Sequence, residues 1–173
     1  MGETIVVGMA EIVCARLGAI VLVAPGVSSG ICICAFDARS SVAGMAHVIL
    51  PESHDEQEAA GKFASSAVPC LLQRMIDLGA DRSCIRTAVA GAARISALRG
   101  KGPRLEIGRR NEVAVQAELG RQHIAAFACD LGGSAGRTIR LSGDGRVRID
   151  TVGQLERELA NLAQFSTTTF DVA

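Results

Sequence analysis

Apolar positions fall into short β-branched blocks along the first third of the chain, then at helical intervals, then in blocks again. Ile5 to Val7 and Ala19 to Ala24 each predict a strand, and Pro25-Gly26 stops the second. Pro25 to Gly30 reads as a turn by composition. Ile31 to Phe36 and Ala43 to Leu50 predict an antiparallel pair joined at Asp37 to Ser41. Pro51 to Glu58 is polar and reads as a loop. From Gly61 to Gly79 the period changes: Phe63, Ala67, Leu71, Met75 and Leu78 recur every three or four residues, the mark of an amphipathic helix. Pro69 is expected to kink that helix or begin its regular part, and Gly79 suits its C-terminal cap.

Ile85 to Val89 and Ile124 to Cys129 predict strands on either side of a basic loop at 99 to 104 and a helix from about Gly108 to Arg121. Thr138 to Leu141 and Arg146 to Ile149 flank Gly143-Asp144-Gly145, a hairpin signal. In that hairpin Ile139, Leu141, Val147 and Ile149 should face inward, with Arg140, Arg146 and Arg148 on the outer face. That outer face is either solvated or offered to an acidic partner. A last helix is expected over about Val152 to Ala163, followed by a loosely ordered tail at 164 to 173. These elements give an α+β fold, largely antiparallel sheet layers flanked by two or three helices, as a single domain over residues 1 to 173.

Composition narrows the function. Eighteen basic and eighteen acidic residues cancel, so no net field draws the chain to nucleic acid or an anionic membrane. Trp and Tyr are absent, which leaves few faces on which bases could stack. The longest apolar run, Leu17 to Val27, holds Pro25 and Gly26 and falls short of the roughly 20 residues a membrane-spanning helix needs. The N-terminus lacks the basic start of a secretory signal, and a cytoplasmic location is expected. The six cysteines show no zinc-type spacing, and His54 and His123 lie in elements apart from His47, so neither metal nor cofactor is expected.

One stretch carries chemistry: Gly44-Met45-Ala46-His47-Val48-Ile49-Leu50-Pro51, a lone imidazole on an otherwise apolar strand. It resembles the signature of the CheD family, the receptor-glutamine deamidases of bacterial chemotaxis. Four further segments resemble that family in the same order: Gly61-Lys62-Phe63-Ala64, Ala90-Gly91-Ala92-Ala93, Ile107-Gly108-Arg109-Arg110-Asn111, and Asp130-Leu131-Gly132-Gly133 with Arg137. Together they span roughly Ile5 to Ile149.

The resemblance implies a cysteine nucleophile, a histidine base and a threonine that orients the base. A thiolate attacks the glutamine carboxamide, ammonia leaves, and water releases glutamate from the thioester. Here His47 matches the base, but Gly30 stands at the nucleophile position and Ala24 at the threonine position. The implied partners are chemoreceptor cytoplasmic helices and a CheC-type phosphatase, with binding expected to dominate over an impaired reaction.

Two residues offer alternative nucleophiles. Cys32 lies two residues beyond Gly30, on the same strand face and about 6.5 Å further along. The competing reading puts Cys32 and Cys34 in the core, where cysteines are commonly buried. Ser29 could act with His47, although a Ser in a Ser-Ser-Gly turn more often caps its own backbone. Asp130 is read as a turn cap or a partner contact. Arg109 and Arg110 sit where a helix N-terminus disfavours cations, which suggests a carboxylate or a recognition role for Arg110.

Overall fold

The computed structural model describes residues 2–16, 18–52, 58–94 and 106–164. Among the described residues ten strands form two five-stranded sheets, and two α-helices cover one of them. The first sheet contains β1 (Thr4–Val6), β3 (Val21–Val27), β8 (Arg137–Ser142), β9 (Arg146–Thr151) and β10 (Arg157–Asn161), in that order. The second contains β2 (Ile12–Arg16), β5 (Val42–Val48), β4 (Ile31–Asp37), β6 (Arg86–Gly91) and β7 (Ala126–Leu131), again in that order. The helices are α1 (Ala64–Asp77) and α2 (Ile107–Arg121). Each sheet has one parallel pair, β1 with β3 and β6 with β7, and is otherwise antiparallel. The α+β class and the antiparallel character follow the sequence pattern.

The second sheet is the middle layer. Ile31, Ile33 and Ala35 on β4, with Val42, Ala46 and Val48 on β5, pack under α1 and α2. The alternate residues, Cys32, Cys34 and Phe36 with Ala43 and Met45, pack against Leu22, Ala24, Ile139, Leu141, Val147 and Ile149 of the first sheet. Both faces of β4 and β5 are therefore buried. That is why these strands read as continuous apolar runs rather than alternating ones.

Close packing explains three of the signature glycines. A Cβ on Gly44 would stand 2.6 Å from Leu71 Cδ1 and 2.9 Å from Met75 Sδ, so a larger residue would make those α1 side chains shift. A Cβ on Gly61 would meet the Ala10 carbonyl oxygen at 2.2 Å. On Gly108 it would stand 2.7 Å from the Ala92 carbonyl oxygen, which fixes how near the start of α2 comes to the segment after β6.

Several expectations change. The helix expected over 152 to 163 does not form: residues 157 to 161 add β10 to the edge of β9. Val152 and Leu155 are exposed at 80% and 92%. Gly153 takes φ +80 in the intervening turn, and Ala160 and Leu162 turn inward instead. A lone helix of this length is marginal in water, whereas an open strand edge offers unpaired backbone groups. The supposed turn from Pro25 is strand as far as Val27, with a bulge between Ala24 and Val27, and only Ser28 to Gly30 reverse the chain. The sequence pattern gave no sign of β2. Pro69 lies inside α1, five residues after its start. The basic loop at 99 to 104 and the tail from 165 onward lie outside the described residues.

The hairpin arrives as expected. Ile139, Leu141, Val147 and Ile149 are wholly buried, and Arg140 pairs across the strands with Arg148. The outer arginines meet acids of this same chain: Arg140 with Glu156 at 3.2 Å, and Arg146 with Asp144 at 3.1 Å and Glu158 at 3.8 Å. A solvated charged face describes it.

Candidate active site

The Ser28–Gly30 turn leads into β4, and β5 returns beside it. A Cβ built on Gly30 would stand 3.2 Å from His47 Nε2. A side chain at position 30 would therefore point at the imidazole, within the reach that base catalysis needs. Glycine puts no atom there. The same Cβ would lie 2.6 Å from the Val48 carbonyl oxygen, so the end of β5 stands close against position 30.

His47 is 3% exposed, and its Nδ1 has no hydrogen-bond partner. Burial alone lowers its pKa from the ordinary 6.5, because the apolar surroundings disfavour the imidazolium. The neutral ring is the form that can accept a proton. A linked stability effect follows. The unfolded chain takes up a proton near 6.5 while the folded chain resists it. Stability is thus unaffected above that pH and declines as pH falls below it. An NMR titration should place the His47 midpoint below 6.5. A midpoint at or above that value would show the imidazole to be solvated or paired.

Ala24 is wholly buried in the layer between the sheets and brings no polar atom to it. Cys32 is the direct cross-strand partner of His47. The N–H and C=O of His47 bond to Glu11 and Ala10, away from β4, so Cys32 and His47 form a non-hydrogen-bonded pair, whose side chains stand close. Yet the Cys32 thiol is wholly buried and lies 4.0 Å from the Cys34 sulfur. That neighbour and the burial hold it well above the ordinary 9.0. Ser29 is half-buried and enters the hydrogen-bond network of the described residues through its carbonyl.

The remaining motifs converge on this turn. Ala93 N–H donates to Ser28 O and Ala92 N–H donates to Gly30 O, each at 2.8 Å. Gly91 takes φ +133, and a Cβ there would meet Gly30 O at 2.2 Å, so only glycine fits. Arg137, nearly buried, donates to Gly91 O at 2.8 Å and Gly132 O at 2.5 Å and pairs with Asp130 at 3.3 Å. Asp130 also pairs with Arg157 on β10. Asp130 is therefore an ion-pair residue in this fold, neither a turn cap nor a free contact. Asn111 donates from Nδ2 to Ser29 O at 3.0 Å and Ile49 O at 2.8 Å. Sequence reasoning marked its motif without giving the Asn a role.

Arg109 and Arg110 are exposed beside Pro51, Glu52 and Val113, with no ion pair among the described residues. Among the described residues no carboxylate fixes Arg110. Among the described residues no group of three His, Cys, Asp or Glu is placed to hold a metal ion, and no helix is long and apolar enough to cross a membrane. His54 lies outside the described residues.

The comparisons with known proteins agree with one another. The family model for CheD chemotactic sensory transduction matches residues 49–151. The matched span begins two residues after His47. A probable chemoreceptor glutamine deamidase CheD of Symbiobacterium thermophilum is 38% identical over 157 residues, covering 88% of this chain and 95% of that protein. Another from Desulfitobacterium hafniense is 36% identical over 159 residues, covering 91% and 99%. The chemoreceptor glutamine deamidase CheD of Halalkalibacterium halodurans is 32% identical over 163 residues, covering 92% and 100%.

Proposed function

This chain belongs to the CheD family, and from that membership we propose that it binds chemoreceptor cytoplasmic helices with little or no glutamine deamidation. The carrying observation is the direction of the Gly30 Cβ, 3.2 Å from His47 Nε2 with no side chain along it. A base faces the position from which a nucleophile should attack, and no thiol is there. The unpartnered His47 Nδ1 and the apolar Ala24 support the same reading, because an orienting hydroxyl is missing as well. Binding needs the scaffold and the turn, and both are held by bonds that do not involve the absent side chains. A CheC-type phosphatase is the second proposed partner, and the cytoplasm is the proposed location.

The test uses the purified full chain and a receptor cytoplasmic fragment carrying its glutamines. We expect measurable affinity and no gain of the roughly one dalton that marks each amide-to-acid conversion. Absence of affinity for both the receptor fragment and a CheC-type protein would sink the binding proposal. A steady mass gain would sink the loss of activity.

One observation favours a second reading, an active amidohydrolase using Cys32 with His47: the two are direct cross-strand neighbours. Its thiol, however, is closed off from substrate and hard to ionise. Ser29 with His47 is the weaker variant of this reading. Should a mass gain appear, Cys32→Ala abolishes it if this reading holds and leaves it intact if Ser29 or another group acts.

A further inference from the structure

We infer that Asn111 is a positioning residue that locks the Ser28–Gly30 turn to the end of β5 and so sets the geometry between position 30 and His47. Two of the three turn carbonyls, those of Ser28 and Gly30, are held by backbone N–H groups of Ala93 and Ala92. The middle one, Ser29 O, is held by the Asn111 side chain. The same Nδ2 reaches Ile49 O, two residues beyond His47. One amide group thus ties together segments 82 and 62 residues away from it in sequence.

The bond directions leave little freedom. Both acceptors are carbonyl oxygens, so the amide must present its NH₂ to them, and Oδ1 is left buried without a partner. Asn111 is wholly buried, where an unsatisfied acceptor is costly. An apolar residue at this place would avoid that cost but would release both carbonyls. Ser29 C=O and Gly30 N–H also belong to one planar trans peptide and point in opposite directions. The bond from Asn111 therefore aims the Gly30 N–H as well, the backbone donor nearest the reacting position. Gly108, one turn earlier on the same helix face, lets α2 come near enough for Asn111 to reach.

The inference takes from the proposed function only that Gly30 and His47 mark the site. Its test needs no receptor, so a failed binding assay leaves it readable. In full-length Gly30→Cys, the rate of alkylation against pH reports ionisation of the introduced thiol. We expect its midpoint to lie about one unit or more below an ordinary cysteine near 8.5. Adding Asn111→Ala or Asn111→Asp should move it back up by about one unit. Val115→Ala, a cavity in the same helix without contact to either carbonyl, is the matched control for lost stability.

If Val115→Ala shifts the midpoint as far as Asn111→Ala, or if neither shifts it, Asn111 is a plain stabilising residue and the inference is wrong. Should Gly30→Cys fail to fold, the His47 titration in the natural chain decides. Asn111→Ala should raise it toward 6.5 while Val115→Ala leaves it in place. Equal behaviour of the two would overturn the inference.

Discussion

We expect Gly30→Cys combined with Ala24→Thr to give glutamine deamidation. The added Cβ of the first change points at His47 Nε2 from 3.2 Å, so the thiol arrives beside a neutral base. The second change offers a hydroxyl to the layer in which His47 Nδ1 lies unpartnered. Gly30→Cys alone should give weak turnover, and the hydroxyl should raise it by about 10²-fold, the lower range for a well-placed base against a poorly oriented one. The gain has a structural cost. Val48 O, a backbone atom, stands 2.6 Å from the new Cβ and must shift, which we expect to destabilise the fold by about 1 to 3 kcal/mol. A time course of receptor-fragment mass checks the activity, and urea unfolding checks the cost. A double variant that folds and binds receptor yet shows no mass gain would mean that the site has changed beyond these two positions.

The second large effect is on stability. Arg137→Met should lower the unfolding free energy by about 3 kcal/mol. It takes the guanidinium from the Gly91 and Gly132 carbonyls, leaving Gly91 O with the Gly132 N–H alone, and removes one partner of Asp130. The loss stays below the worst cases for broken buried pairs because Asp130 keeps Arg157. Arg137→Lys should recover little, since an ammonium cannot span two carbonyls and a carboxylate as the guanidinium fork does. Denaturant titration of both variants settles the order. A loss under about 1 kcal/mol for Arg137→Met would show that the Gly91–Ala92 segment is held by its backbone bonds alone.

The parts of the fold that were legible in the sequence are those governed by local pattern. Ile31 to Phe36 and Ala43 to Leu50 declare themselves by apolar runs, the 143 to 145 turn by its glycines, and α1 by its period. Residues 157 to 161 misled because Arg-Glu-Leu-Ala favours helix locally, and pairing with β9 overrode that preference. β2 is five residues long with Cys and Ala at its centre, too little β-branched character to be noticed. In the site, His47 and the gap at Gly30 were readable from motif positions. Asn111 was not, because its role rests on contacts with Ser29 and Ile49 that no local window contains. The juxtaposition of Cys32 with His47 likewise depends on strand register rather than spacing.

Gly44, Gly61, Gly91 and Gly108 each sit where a methyl group would collide with a neighbour, and none of those collisions involves a reacting atom. Purifying selection on folding would preserve all four in a lineage that had given up turnover entirely. A recognisable signature in such a lineage records how tightly its layers nest. Whether any member still cleaves an amide is written elsewhere, in the one or two side chains that folding can do without.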